Sequence, residues 1–266
     1  RRQRQMCIRD RYYYDNSLCI NPIEFKLMID EYHNFLKQYS FRDKAINGVL
    51  AHFKEFKSYC FLSATPIPNN LKPAIFNDIT EYMADWNTTD EITVYPYHTN
   101  TPYMVAAKFI KTYQAKGCLN VNGIESKEAY FFINSVTEIK AILKQTQLTE
   151  DDYRIICADN PKNRKTLEGY TISSSADAPK KFNFITSKSF EGVDFHSETG
   201  LCFVVSNVQN RHTLVSIDMD IPQIVGRIRT KSNPFRNKVV HIFNTKATDH
   251  YTTCLLYTSP SPRDTR

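Results

Sequence analysis

The sequence predicts an α/β fold built on a parallel sheet. Short, continuous apolar segments recur along the chain, as in strands that are buried on both faces. Stretches with the apolar spacing of helices separate these segments, and this alternation favours a sheet covered by helices. The predicted strands are FKLMI (25–29), SYCFLS (58–63), AYFFIN (129–134), RIICA (154–158), FNFIT (182–186), CFVVS (202–206) and VVHIF (239–243).

Two predicted helices connect these strands. Residues 41–56 place Ile46, Leu50 and Phe53 on one side of a helix, and residues 136–143 follow the third strand. Residues 69–123 are less regular, with an extended segment at 93–102 and a helix at 104–113. We interpret 69–123 as a connecting region between two α/β units, residues 12–68 and 124–253.

Both ends of the chain look foreign. Residues 4–11, RQMCIRDR, read as the translation of a transposon-end adapter oligonucleotide, and residues 254–259, CLLYTS, read as the translation of its reverse complement. We therefore treat residues 1–11 and 254–266 as adapter-like artefacts outside the fold. The alternative is a natural basic arm and a proline-rich tail.

Charge and cysteine usage narrow the function classes. The two foreign ends carry net charges of +4 and +1, so the formal net charge of +6 falls to +1 without them. The overall charge is then no argument for a nucleic-acid partner. The cysteines form no CxxC pair, which favours free thiols, without a zinc site or a disulfide-linked partner. We expect a cytoplasmic protein without a membrane partner, because no apolar run reaches the roughly 18 residues of a membrane span.

Two acids follow the first predicted strand, in FKLMIDEYHNFL (25–36). Ligands of parallel sheets bind at the carboxyl ends of the strands, which is where Asp30 and Glu31 lie. The first acid can hold a magnesium ion, and the second can take a proton from an attacking water. Taken alone, the pair is also typical of a solvated surface turn.

Further short motifs follow at later strand ends. They are Ser-Ala-Thr at 63–65, Thr186-Ser187 followed by Gly-Val-Asp at 192–194, and Gln-x-x-Gly-Arg at 223–227. Each is common by itself, but with Asp-Glu-x-His at 30–33 their order resembles that of superfamily 2 helicases of the DEAD/DEAH type. EAYFFINSV (128–136) resembles the fourth motif of that family, and the resemblance covers nearly all of residues 12–253.

The resemblance implies two RecA-like parallel-sheet units, the first truncated at its N-terminal side. It also implies an ATP-dependent nucleic-acid helicase or translocase, in replication or repair of a phage or mobile element. ATP and Mg²⁺ would be its cofactors, and DNA or RNA its partner, with DNA favoured. Two alternatives stay open: an origin-binding or scaffold protein with an auxiliary ATPase fold, and a translocase subunit of a restriction system.

The same resemblance assigns a role to each motif residue. Asp30 would hold Mg²⁺ through water, Glu31 would be the catalytic base, and His33 would link the ATP site to the second unit by contacting Gln223. Ser63 and Thr65 would couple hydrolysis to motion, and Thr186 and Ser187 would contact the nucleic-acid backbone. Gly192 and Asp194 would contact the nucleotide. Gln223 would contact the γ-phosphate, as would Arg227, which would be an arginine finger.

Two departures from the family pattern matter. The family has a second arginine three residues after the first, where this chain has Thr230, with Arg229 one residue earlier. If the segment is helical, Arg229 lies about 200° from Arg227 and packs on an acid such as Asp218 or Asp220. A kinked or loop-like segment would instead let Arg229 contact ATP as the second finger.

The second departure concerns the phosphate loop. None of the seven glycines is followed by lysine, so no GxxxxGK[ST] motif occurs. In the family this loop precedes the Asp-Glu motif, and we expect it upstream of the residues given. These residues alone are therefore expected to be an inactive piece of an ATPase.

Overall fold

The computed structural model describes residues 21–84, 91–187, 190 and 193–246, except for the side chains of residues 37, 40 and 41. The chain divides into two compact units, Arg1–Asp85 and Trp86–Arg266. Both adapter-like ends lie outside the described residues.

The first unit contains a two-stranded parallel sheet. Strands β1 (Lys26–Asp30) and β2 (Ser58–Leu62) pair in a register that sets Asp30 opposite Leu62. Helix α1 (Asn34–His52) joins them, so the helix begins earlier than the predicted residue 41, and it is kinked at Arg42. Short 3₁₀ turns are found at Pro22–Glu24, Phe53–Glu55, Asn69–Leu71 and Ala74–Phe76.

The two faces of this small sheet differ. One face packs Ile29 into a core with Tyr32, Ile67 and Phe76. The other face leaves the side chain of Met28 70% exposed, and its partner in the register, Cys60, is exposed as well. Parallel sheets are normally covered on both faces. The exposed face therefore leaves Met28, Cys60 and Leu62 uncovered in this unit as described, flanked by Lys26 and Asp30.

The second unit contains a six-stranded, all-parallel sheet in the order β3-β10-β9-β6-β8-β7. Its strands are β3 (Thr93–His98), β6 (Glu128–Phe132), β7 (Tyr153–Ile156), β8 (Phe182–Ile185), β9 (Gly200–Val205) and β10 (Lys238–Phe243), with an antiparallel hairpin of β4 (Leu119–Val121) and β5 (Ile124–Ser126). Its helices are α2 (Pro102–Lys116), α3 (Val136–Thr146), α4 (Pro161–Thr166) and α5 (Asp220–Val225), with a 3₁₀ turn at Arg211–Thr213.

The side chains of the sheet fill two cores, one on each face. The first contains Phe131, Phe184 and Phe203 together with residues of α2 and α3. The second contains Tyr130 and Phe195 together with residues of α5. The prediction of an α/β fold with a parallel sheet flanked by helices is thus confirmed, because β6 to β9 are buried at nearly every position and are covered on both sides.

Residues 69–123 were predicted as a connecting region, but part of this range belongs to the second unit. Strand β3 pairs with β10 at the edge of the large sheet, and α2 packs on the first core of that sheet. The second unit therefore begins before β3 and not at residue 124. The hairpin β4–β5 was not predicted, although Asn122-Gly123 is a strong turn signal, and both residues have the positive φ that a type I′ turn needs.

Two further findings concern the chain as described. Within the described ranges, no helix is long and apolar enough to cross a membrane. Cys60, Cys118, Cys157 and Cys202 are free thiols.

Candidate functional site

The Asp-Glu-x-His and Ser-Ala-Thr motifs meet at the carboxyl ends of β1 and β2. The Nδ1 atom of His33 lies 2.7 Å from the Ser63 hydroxyl and 3.2 Å from Oε2 of Glu31. The Thr65 hydroxyl lies 3.4 Å from the same nitrogen, and the Thr65 amide donates to Ser63 Oγ at 3.0 Å. His33, Ser63 and Thr65 thus form one hydrogen-bonded cluster, and Glu31 lies within ion-pair distance of its histidine.

The backbone at Glu31 explains how its side chain reaches this cluster. Glu31 has φ of 55°, in the left-handed region that residues other than glycine rarely adopt. The hydrogen bonds between β1 and β2 continue beyond Glu31, since the Tyr32 amide donates to the Leu62 carbonyl at 3.1 Å. His33 is completely buried and so fixes the position of Nδ1. Strained residues of this kind concentrate at functional sites, where the surroundings hold them in place.

Asp30 differs from Glu31 in its surroundings. It is the last residue of β1, and it is exposed. Among the described residues, no group of three or more His, Cys, Asp or Glu side chains could hold a metal ion. Mg²⁺ does not need such a group, because it keeps several waters and commonly binds one or two carboxylates together with phosphates. The Asp30 carboxylate therefore fits a water-mediated Mg²⁺ contact.

A second cluster forms in the second unit around Asp194. Nε of Arg229 lies 2.8 Å from Oδ1 of Asp194, and Nη1 of Arg227 lies 3.7 Å from the same oxygen. The side chains of Asp194 and Arg229 are about half exposed, whereas that of Arg227 is 10% exposed. One carboxylate thus contacts both predicted arginines.

The prediction that Arg229 packs on Asp218 or Asp220 is wrong. Helix α5 ends at Val225, so the arginines do not lie in a helix. Residues 227–229 pair with Phe195 instead: the Phe195 amide donates to the Arg227 carbonyl at 2.8 Å, and the Arg229 amide donates to the Phe195 carbonyl at 2.9 Å. The Asp220 carboxylate accepts from the Ser216 amide at 2.6 Å.

Gln223 holds the guanidinium of Arg227 in place. Nε of Arg227 donates to the Gln223 carbonyl at 2.8 Å, and Nη2 donates to the Gln223 side-chain oxygen at 3.2 Å. Both residues are buried. The predicted contact between Gln223 and His33 would join the two units and stays a prediction.

The two predicted nucleic-acid residues differ in accessibility. Thr186 is buried, with its hydroxyl 3.4 Å from the Ile156 carbonyl, to which it donates. Ser187 is exposed, and its hydroxyl donates to Oδ1 of Asn134 at 2.7 Å. Ser187 is therefore the more accessible hydroxyl of the pair. The predicted nucleotide residue Gly192 lies outside the described residues.

Sequence reasoning assigned no role to Asn134, which lies just after β6 in the segment that resembles the fourth helicase motif. Its side chain accepts from Ser187 and donates to the His212 carbonyl at 2.6 Å. Its place at a strand end, inside that motif, is the signal that could have identified it.

The comparisons with known proteins add no identification. No family model matches the chain, and no curated protein matches it.

Proposed function

We propose that the chain is part of an ATP-driven nucleic-acid helicase or translocase, built from two RecA-like units. ATP and Mg²⁺ are its cofactors, and a nucleic acid, with DNA favoured over RNA, is its partner. A role in replication or repair of a phage or mobile element and a cytoplasmic location belong to the same proposal.

The observation that carries the proposal is the cluster of Glu31, His33, Ser63 and Thr65. The two halves of the cluster are about 30 residues apart in the sequence, yet His33 Nδ1 lies within 3.4 Å of Glu31 Oε2, Ser63 Oγ and Thr65 Oγ1. A solvated surface turn does not need a buried histidine that connects two strand ends. A catalytic carboxylate does need such an orienting group.

In this function, each residue of the first unit has a chemical task. Asp30 holds a hydrated Mg²⁺, which neutralises charge on the phosphates when it is bound. The Glu31 carboxylate accepts a proton from the attacking water, and His33 fixes the direction of that carboxylate. Ser63 and Thr65 are hydrogen-bonded to His33, so a movement of His33 during hydrolysis moves both of them as well.

The arginines of the second unit have the complementary task. A guanidinium carries a permanent charge and presents forked donors, which suit the oxygens of a phosphoryl group. Arg227 is held by Gln223 and is largely prearranged, while Arg229 is half exposed and can exchange Asp194 for a phosphate.

The test is ATP turnover by a chain extended with its upstream coding sequence. Glu31→Gln should retain ATP binding and lower turnover by roughly 10²–10⁴-fold, the usual contribution of a positioned general base. Glu24→Gln is the matched control, because Glu24 lies before β1, at the opposite end of that strand. Wild-type turnover of Glu31→Gln would remove Glu31 from the mechanism, and absence of turnover in the extended wild type would refute the proposal.

A further inference from the structure

Asn134 connects the ends of three neighbouring strands of the large sheet. It follows β6, it accepts from the amide and hydroxyl of Ser187 after β8, and it donates to the carbonyl of His212 in the loop after β9. Two donors on Oδ1 and one acceptor at Nδ2 define the orientation of the amide. Ser187 and the loop are therefore held next to each other by one side chain.

Buried hydrogen bonds hold the loop that contains His212 in place. The Thr213 hydroxyl accepts from the Asn207 amide at 2.9 Å and donates to the Asn210 carbonyl at 2.7 Å. Oδ1 of Asn207 accepts from the Gln209 amide and from the Asn244 side chain, both at 3.0 Å. Thr213 is 1% exposed. A loop with this many internal bonds presents its exposed residues in a defined position.

Arg211 is the cation that this loop presents. It is exposed, and its side chain has neither an ion pair nor a hydrogen bond within the part of the chain that the structure describes. It directly precedes His212, whose carbonyl is bound by Asn134. An arginine on a fixed base, with no described acid paired to it, can bind phosphate oxygens through its forked donors.

We infer that Arg211 binds a backbone phosphate of a single-stranded nucleic acid, next to the part of the strand contacted by Ser187. Asn134 is the positioning residue, because it holds the loop that carries Arg211 next to Ser187. This inference rests on the proposed function, because it assigns one more contact to the same nucleic-acid partner.

The experiment measures binding of a fluorescent single-stranded DNA oligonucleotide to the full chain by anisotropy, from 0.05 to 0.5 M salt. Loss of one phosphate contact lowers the slope of log affinity against log salt by about 0.7 for a single strand. Arg211→Ala should show this change and bind about fivefold more weakly at 0.1 M salt. Lys144→Ala is the matched control, because Lys144 is an exposed cation in the last turn of α3, away from the strand ends where that helix begins.

Asn134→Ala tests the positioning role. It should weaken binding, and Arg211→Ala should then cost less than it does in the wild-type background, because the two residues act together. Unchanged melting temperatures check that each variant is folded.

Each outcome has a distinct meaning. If the wild type binds and Arg211→Ala keeps the wild-type affinity and salt slope, the inference is wrong while the proposed function stands. Equal slope losses for Arg211→Ala and Lys144→Ala would also overturn it, since the binding would then depend only on net charge. A wild-type chain that binds neither DNA nor RNA oligonucleotides would count against both the inference and the proposed function.

Discussion

The chain leaves helix α5 before Arg227 and pairs with Phe195 at Ile228, which predicts that Arg229 acts as a second arginine finger. A helical segment would turn Arg229 away from Arg227, and Arg229→Ala would then be at least tenfold milder than Arg227→Ala. Both side chains instead contact Oδ1 of Asp194. We therefore expect each alanine variant to lower ATP turnover of the extended chain by roughly 10³-fold or more, as arginine fingers do in phosphoryl transfer.

The effects on stability should separate the two variants. The ion pair of Arg229 with Asp194 is about half exposed, and exposed pairs contribute about 0–1 kcal/mol. Arg227 is buried and donates twice to Gln223, so its loss leaves a buried carbonyl and a buried amide oxygen without their donor. That loss costs about 1–3 kcal/mol. Arg229→Ala should thus be defective in turnover with nearly unchanged stability.

The assay is steady-state turnover at saturating ATP with nucleic acid present, alongside urea denaturation. Lys231→Ala is the control, because it removes an exposed positive charge two residues further along the chain. Near-wild-type turnover for Arg229→Ala, or a defect at least tenfold smaller than that of Arg227→Ala, would refute this reasoning.

Two further predictions concern the stability of the second unit. Gly200→Ala should lower the free energy of unfolding in urea by about 1–3 kcal/mol, because its Cβ would lie 2.5 Å from Cε2 of the fully buried Tyr130 and 2.8 Å from Ser197 Oγ; an unchanged unfolding midpoint would contradict this packing. Burial lowers the pKa of His241 from 6.5 to about 4, so the unfolded chain takes up the proton at a higher pH than the folded chain does. The contribution of neutral His241 to stability is therefore complete above pH 6.5 and is lost as the pH falls toward 4. This contribution amounts to about 3 kcal/mol at 1.4 kcal/mol per pKa unit, and urea denaturation of His241→Gln between pH 7.5 and 4.5 should show a correspondingly weaker dependence on pH.

The strands of the large sheet were predictable because their signal is local. A strand buried on both faces is apolar at nearly every position, as β9 is, so its position can be determined from a short window of sequence. The order of the strands was not predictable in this way. Strand β3 has exposed residues and a proline, and only its pairing with β10 assigns it to the sheet.

The meeting of two motifs was predictable because strand ends are also a local signal. Asp30 ends β1, Glu31 and Ser63 directly follow strands, and the structure brings Glu31 and Ser63 to the same histidine. The partners of Asn134, Ser187 and His212, lie more than 50 positions away, so its place at a strand end marks it as a candidate but does not identify what it contacts.

In the proposed function, the position of the second arginine follows from the conformation of the chain around it. In a helix, residues three or four apart lie on the same face, so a helical segment would need arginines at i and i+3 to present both on one side. Here α5 ends at Val225, and Ile228 pairs with Phe195, which is buried in the sheet's second core. The arginines on either side of Ile228 both contact Asp194. In the proposed function, Arg229 thus takes the place of a second arginine at position 230.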